Sequence, residues 1–245
     1  MSQINIGIIG GAGYTGGELL RILLNHPNAN IIFVNSKSQA GKPVYSTAEN
    51  AIPASVKIID LSTDFRDESN GFVYGLPELN RERIKTATKI ANPGCFATSI
   101  ELAILPLASQ GLIYDDIHVS AITGSTGAGQ ALSATTHFSW RNNNISIYKA
   151  FTHQHLKEIT QSVKSLQTDF GHLINFVPYR GNFTRGIMAN VYTKFKGSIE
   201  EANELLISSI IDNLTKGASG QAVQNLNLIF GLEETAGLKL KPIGF

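Results

Sequence analysis

The sequence predicts an α/β protein in which a doubly wound parallel sheet is combined with an α+β domain that carries a mixed sheet. Two patterns support this fold class. An almost entirely apolar run over residues 4–9, typical of a buried parallel strand, leads into a glycine cluster and then into an apolar stripe at helical spacing. Further along, residues 118–122 and 186–194 have the alternating pattern of strands in a second sheet.

The composition indicates a globular protein of one large or two ordinary domains. The chain has 245 residues, of which 42% are hydrophobic and 16% charged, and its net charge is +1. This balance gives no sign of a nucleic-acid or membrane partner, and no apolar run reaches the roughly 18 residues of a membrane helix. Because the N-terminus has no basic signal-peptide segment and the chain has one cysteine, we expect a cytoplasmic protein.

A glycine loop between the first strand and the first helix predicts a dinucleotide site. Gly11, Gly13 and Gly16 fit the pattern G-x-G-x-x-G, and a second apolar run at 31–34 completes a Rossmann-type βαβ unit. Such glycines let a pyrophosphate approach the backbone at a helix N-terminus. An ordinary glycine-rich turn is the alternative. The predicted cofactor contacts of this loop are Gly10, Gly11, Ala12, Gly13, Tyr14, Thr15 and Gly16.

The end of the second strand indicates NADP rather than NAD. An NAD site usually places a carboxylate about 20 residues past the glycines, where it holds the ribose 2′-hydroxyl. Here the chain reads Asn35-Ser36-Lys37-Ser38, which offers hydroxyls and a lysine suited to a 2′-phosphate. We therefore predict Ser36, Lys37 and Ser38 as cofactor contacts, with a solvated loop charge as the alternative for Lys37.

Cys95 is the only cysteine of the chain and the predicted nucleophile. Pro93 and Gly94 mark a turn, and apolar residues follow at helical spacing, so Cys95 lies in or just before the first turn of a helix. Unpaired N–H groups and the helix dipole stabilise a thiolate at that position, and a thiolate attacks acyl carbons well. The alternative is a small buried hydrophobic residue.

Eight sequence blocks, spread over nearly the whole chain, together resemble one known family. The blocks are residues 10–17, 60–66, 74–78, 92–95, 124–129, 153–155, 185–187 and 212–222. In this order they are similar to the N-acetyl-γ-glutamyl-phosphate reductase family. The resemblance implies an NADPH-dependent enzyme of arginine biosynthesis, which reduces a small-molecule acyl phosphate to a semialdehyde and releases phosphate through a cysteine thioester.

The resemblance also implies roles for individual residues. Cys95 matches the family nucleophile and His153 the catalytic histidine, with His155 as the reserve choice. Arg185 matches an arginine that grips an anion, while Arg66, Arg141 and Arg180 are weaker candidates. The predicted substrate contacts are Asn92, Ser125, Gly127, His155 and Arg185. Ser125 and Gly127 belong to a loop over 124–129 that is either an anion-binding loop or, alternatively, a plain turn. A second set of cofactor contacts is predicted at Gly217, Ser219, Gly220 and Gln221.

The predicted organisation places the nucleophile at a domain junction. Residues 1–94 with 217–245 form the NADP-binding domain, and 95–216 form the substrate domain. No metal is expected, because the histidine pair at 153 and 155 has no clustered third ligand. By analogy with this fold, the protein is a homo-oligomer, a dimer or tetramer, associating through the second sheet.

Two departures and three alternatives accompany this interpretation. The chain is shorter than family members, with abrupt junctions near residues 45–51 and 204–207. An N-succinyl substrate is an alternative to the N-acetyl one, and a related aspartyl-phosphate semialdehyde dehydrogenase is the alternative enzyme. A non-catalytic NADP-binding sensor that uses its single thiol is the alternative class.

Overall fold

The computed structural model describes residues 3–35, 55–194 and 204–240. The described strands are β1 (Ile4–Ile9), β2 (Ala29–Asn35), β3 (Ile58–Asp60), β4 (Val73–Tyr74), β5 (Lys89–Ala91), β6 (Ile117–Thr123), β7 (Ser146–Ile147), β8 (Ile174–Arg180), β9 (Ile187–Lys194) and β10 (Glu204–Ile211). The described α-helices are α1 (Tyr14–Leu23), α2 (Pro77–Thr86), α3 (Cys95–Ala108), α4 (Phe138–Arg141), α5 (Leu156–Leu166) and α6 (Gly220–Ile229), the last preceded by a π-helical turn at Thr215–Ser219.

The chain divides into two compact units. Residues Met1–Asn92 and Ala218–Phe245 form the first unit, and Pro93–Gly217 form the second. The α/β fold class with a mixed sheet, predicted from the sequence, is confirmed by this organisation of elements. The division of labour between the units, cofactor in one and substrate in the other, remains a prediction.

The described strands of the first unit form two parallel sheets. Strands β1 and β2 pair with each other, and β3, β5 and β4 form a separate three-stranded sheet in that order. Between β2 and β3 the chain passes through residues 36–54, which lie outside the described residues.

Helix α6 joins the cores of both sheets of the first unit. Val223 packs with Ile8 and Ile22 in one buried cluster, while Leu228 belongs to a second cluster with Ile90. The helix also carries buried side-chain amides. That of Asn225 donates to the Gly75 carbonyl at 2.8 Å, and this bond fixes the distance between α6 and the end of β4. Each fully buried aliphatic side chain of this kind contributes about 1.5–3 kcal/mol.

The second unit is a five-stranded mixed sheet with α3 and α5 on one face. The strand order is β10-β9-β6-β8-β7, with β6 parallel to β8 and the other pairs antiparallel. Alternate residues of β6 and β9 are buried, such as Val119 and Val191, as the period of two requires. The carboxyl ends of the parallel strands β6 and β8 lie at the same edge, where α/β proteins usually bind ligands.

Candidate active site

The loop after β1 has the geometry that a close approach of a dinucleotide requires. Gly10 adopts a φ of +80°, a conformation that favours glycine, and Gly13 caps α1 in an extended conformation. A Cβ at Gly16 would lie 2.6 Å from the Gly11 Cα, so the third glycine of the motif packs directly on the first. The first turn of α1 contains no acidic side chain, which leaves its positive end available for a phosphate.

The C-terminal block meets this loop in the first unit. Ser219 donates its hydroxyl to the Thr15 carbonyl at 2.8 Å, which brings the start of α6 to the first turn of α1. Gly220 and Gln221 are buried in the first turn of α6. Ala12 and Tyr14 of the loop are exposed, and the remaining predicted contacts, Ser36, Lys37 and Ser38, lie outside the described residues.

Cys95 is the first residue of α3, as the sequence predicts. Gly94 is the N-cap, with an extended backbone, and its carbonyl accepts the first helical bond from Thr98. The cysteine itself is only partly buried, whereas Phe96 is 1% exposed and anchors the helix in the core. The thiol therefore lies at a helix N-terminus, where the backbone dipole favours its anionic form.

Gly217 lies against the cysteine within the second unit. A Cβ at Gly217 would come within 2.9 Å of the Cys95 Cβ and 3.4 Å of its Cα. Only glycine fits there without displacing the nucleophile. In the described structure this predicted cofactor residue therefore borders the thiol within the second unit.

The two predicted histidines lie side by side next to α3. Their ring centroids are 4.5 Å apart, and His153 packs edge-on against Phe96 at 5.5 Å. The segment is a turn followed by α5, so the pairing does not come from an extended strand. Instead, the His155 N–H donates to His153 Nδ1 at 3.2 Å, which leaves the proton of a neutral His153 on Nε2.

Glu158 was not predicted, yet it links this pair to the nucleophile's helix. One carboxylate oxygen accepts from the Gly94 N–H at 3.0 Å, and the other lies 3.8 Å from His155 Nε2. The side chain is 4% exposed. A buried carboxylate needs compensating charge or donors, and here the Gly94 N–H supplies a donor beside Cys95. Its position three residues after His155 in the first turn of α5 is the signal that was available in the sequence.

Burial lowers the pKa of His153 to about 4, and the positive charges of Lys149 and Arg180 act in the same direction. The folded protein therefore keeps this imidazole neutral, while the unfolded chain takes up a proton below about 6.5. We expect stability to fall as the pH drops from about 6.5 to about 4, by up to about 3 kcal/mol from this residue alone. Urea unfolding of wild type and His153→Gln across this range measures the effect as a difference curve. Parallel curves for the two proteins would contradict it.

The predicted anion clamp, Arg185, is itself held by a carboxylate. Its Nε and Nη2 donate to the two oxygens of Asp212 at 2.9 and 3.0 Å. Burial raises the pKa of Asp212, but the bonds from Arg185 and from the N–H groups of Thr215 and Leu214 outweigh it and hold the pKa below its ordinary value. The ion pair ties the start of β9 to the turn before Gly217.

Most N–H groups of the loop over 124–129 already donate hydrogen bonds to backbone carbonyls. Gly124 donates to Gly186, and Ser125 and Thr126 donate to the carbonyls of Phe183 and Thr184. Gly127 donates back to Gly124. The loop therefore does not present the row of free amides that an anion-binding nest requires, although Ser125 and Gly127 remain at the carboxyl end of β6.

Asn92 is similarly occupied within the first unit. Its side-chain N–H donates to the Ala218 carbonyl at 3.1 Å, and its Oδ1 accepts from Asn225 at 3.1 Å. The residue is 1% exposed. These bonds fix the strand end that leads into Pro93, so Asn92 acts on the site through the backbone in this structure.

One group among the described residues has the donor set of a metal site. Ligand atoms of Asp115, Asp116 and His172 lie within 4.8 Å of one another. Asp115 pairs with Lys194 at 3.1 Å, and Asp116 accepts from Leu173 N–H and Asn175. The group precedes β6, at the end of the sheet opposite the site. No helix among the described residues has the length and apolarity to cross a membrane.

Comparisons with known proteins agree with this architecture. The family model described as the semialdehyde dehydrogenase NAD binding domain matches residues 5–54, and the semialdehyde dehydrogenase dimerisation domain matches residues 95–213. The structure of aspartate semialdehyde dehydrogenase II from Vibrio cholerae, 15% identical, aligns with a TM-score of 0.71 over 94% of this chain and 99% of that chain. The enzyme from Francisella tularensis, 12% identical, gives 0.66 over 93% and 100%. The chain is thus an oxidoreductase of the semialdehyde dehydrogenase class, which uses a nicotinamide cofactor.

Curated relatives identify the family within this class of oxidoreductases. The N-acetyl-gamma-glutamyl-phosphate reductase of Christiangramia forsetii is 50% identical over 98% of this chain and 99% of its own length. That of Parabacteroides distasonis is 47% identical over 99% and 100%. The chain belongs to the N-acetyl-γ-glutamyl-phosphate reductase family, which confirms the resemblance. The first alignment runs over 317 residues, more than the 245 of this chain, so the relative has internal residues without a counterpart here.

Proposed function

We propose that this protein reduces N-acetyl-γ-glutamyl phosphate to N-acetylglutamate semialdehyde with NADPH, releasing phosphate in arginine biosynthesis. The observation that carries the proposal is the position of Cys95 at the N-terminus of α3, beside the His153–His155 pair and the Glu158 carboxylate that bonds to Gly94. Relatives named for this reaction, at up to 50% identity over nearly the whole chain, support the substrate.

The first chemical step is acyl transfer to sulfur. The Cys95 thiolate attacks the γ-carbonyl carbon, a C–S bond forms, and the C–O bond to phosphate breaks with its electron pair leaving on phosphate. This gives a thioester and splits one difficult reduction into two easier steps. The helix N-terminus stabilises the thiolate before attack. Glycine at 217 leaves room for the sulfur to reach the substrate.

The two histidines have different roles, one toward the carbonyl oxygen of the substrate and the other toward the proton of the thiol. His153, predicted as the catalytic histidine, is neutral and offers its Nε2–H to the developing negative charge on the carbonyl oxygen. His155, next to Glu158, accepts the thiol proton and later returns it to the sulfur, because the nearby carboxylate stabilises its charged form.

The glycine loop and the start of α6 hold the cofactor. Gly10 to Gly13 and the first turn of α1 form the pyrophosphate site, and Ser219, Gly220 and Gln221 border it. When bound, NADPH supplies the hydride that reduces the thioester carbonyl. Ser36, Lys37 and Ser38 hold the 2′-phosphate and make the site one for NADP. Residues 1–94 with 217–245 thus serve the cofactor, and 95–216 serve the substrate.

The substrate anions need cationic and polar groups. Arg185 is the cationic candidate of the second unit, and Ser125 and Gly127 lie at the carboxyl end of β6. Arg66, which donates to the Asn92 carbonyl at 3.0 Å, is a further candidate in the first unit. Asn92 keeps the backbone before Cys95 in place.

The protein acts as a homo-oligomer in the cytoplasm. The sheet of the second unit exposes large apolar side chains on the face away from α3 and α5, among them Met188, Tyr192, Leu206 and Ile210. Such a face is stabilised by burial against a second copy, and the family model that matches this unit is named a dimerisation domain.

The reverse reaction tests the function. We expect NADPH to form from NADP and N-acetylglutamate semialdehyde only when inorganic phosphate is present. N-succinylglutamate semialdehyde and aspartate semialdehyde, assayed in parallel, identify the acyl group and the carbon chain. Phosphate-dependent turnover confined to aspartate semialdehyde, or none with any of the three, would overturn the proposal.

A further inference from the structure

Arg180, at the end of β8, differs from Arg185 in its partners. Its guanidinium lies 4.5 Å over the Tyr148 ring, donates a hydrogen bond to the Tyr148 hydroxyl and approaches the Ser125 carbonyl at a long 3.5 Å. Within residues 3–35, 55–194 and 204–240 it makes no ion pair with a carboxylate. Arg185, five residues later, has Asp212 as a bidentate partner.

The surroundings of Arg180 contain further positive charges. Arg141, 8% exposed, donates to the Arg180 carbonyl at 2.7 Å and to three further oxygens of neutral groups. Lys149 adds a third positive charge nearby, since it and Arg180 both depress the pKa of His153. Three cations with uncharged partners create a positive potential that an anion relieves.

The position of Arg180 is within the substrate side of the site. The Tyr148 ring beneath its guanidinium lies 5.8 Å from the His153 ring. Nη1 comes within 4.0 Å of the place where a Cβ on Gly127 would stand. The charges of Arg180 and Cys95 both act on the Tyr148 hydroxyl, in opposite directions, which places both groups near it.

We propose that Arg180 is a substrate-binding residue that pairs with an anionic oxygen group of the acyl phosphate. The inference rests on the proposed function and adds a residue to it. A guanidinium stacked on an aromatic ring is held with its edge free for bidentate recognition of a carboxylate or phosphate. The substrate carries both groups, and an N-succinyl substrate carries a second carboxylate.

Protection of Cys95 from alkylation tests the proposal without requiring turnover. Iodoacetamide labelling, followed by intact mass, is titrated with inorganic phosphate, N-acetylglutamate or N-succinylglutamate. For Arg180→Met we expect about 10- to 100-fold weaker protection by the anion that Arg180 binds. Arg180→Lys keeps the charge without the fork and lies between. Lys164→Met removes an exposed charge on α5 and serves as the matched control.

The pattern of loss identifies the group. Weaker protection by phosphate alone assigns the phosphate, equal weakening for both acylglutamates assigns the α-carboxylate, and a larger effect with N-succinylglutamate assigns the acyl carboxylate. Millimolar guanidinium should restore protection in Arg180→Met, which a merely structural role would not allow. Unchanged protection by all three anions overturns the proposal, whether or not the wild type turns over, so its failure is distinct from failure of the proposed function.

Discussion

Replacing Cys95 by serine removes turnover, by at least about 1,000-fold in kcat/KM. The hydroxyl of serine does not ionise near neutral pH, so the start of α3 has no anion to stabilise and no thioester forms. Alkylation of the single thiol in wild type gives the same loss. The reverse assay with phosphate and the acylglutamate semialdehyde measures turnover, and mass spectrometry confirms that labelling is complete.

Measuring the affinity for NADP distinguishes a loss of chemistry in Cys95→Ser from a loss of folded structure. Cys95→Ser should bind NADP as wild type does, because the glycine loop belongs to the other unit. Gly16→Ala gives the opposite pattern, since its Cβ would collide with Gly11. In Gly16→Ala we expect the Kd for NADP to rise by about tenfold or more, while the Cys95 thiol stays reactive. Activity that survives full modification of Cys95 would refute the mechanism.

Replacing Glu158 by glutamine lowers kcat by about 100-fold. The amide keeps the shape and still accepts from the Gly94 N–H, but it no longer stabilises a charged His155. His155→Asn should have a similar effect. Because the two act as one unit, we expect the double variant to be no slower than either single variant.

The pH dependence distinguishes this role from simple packing. In Glu158→Gln the acidic limb of the kcat profile should move to lower pH, because the imidazolium loses its carboxylate. His153→Gln serves as the comparison, since its ring is neutral at working pH and the position of the limb should not change. Additive effects of Glu158 and His155 would show that they do not work together.

Local patterns in the sequence predicted the elements that carry the site. The apolar run before the glycines forms β1, and the turn at Pro93 and Gly94 leads directly into α3 with Cys95 as its first residue. These features depend on neighbours within a few positions, so spacing and residue type are sufficient to recognise them.

Contacts between residues far apart in the sequence could not be predicted from local patterns. Glu158 meets Gly94 across 64 positions, and an acidic residue in the first turn of a helix is common enough to attract no notice. The contact of Gly217 with Cys95 spans 122 positions, and the cofactor role of this glycine stays a prediction. The sequence favours Arg185 over Arg180 as the anion-binding residue, because it does not reveal that Arg185 forms an ion pair with Asp212.

The two-part construction of the first unit affects its synthesis on the ribosome. Ile8 and Ile90 lie in the first segment, but Val223 and Leu228, which complete their clusters, belong to the last. At roughly 5–20 residues per second, translation of residues 93–217 separates the segments by roughly 6–25 s. During that interval α6 does not yet cover the apolar surfaces that it buries in the first unit. Nascent chains of this protein are therefore expected clients of ribosome-associated chaperones until the final helix emerges.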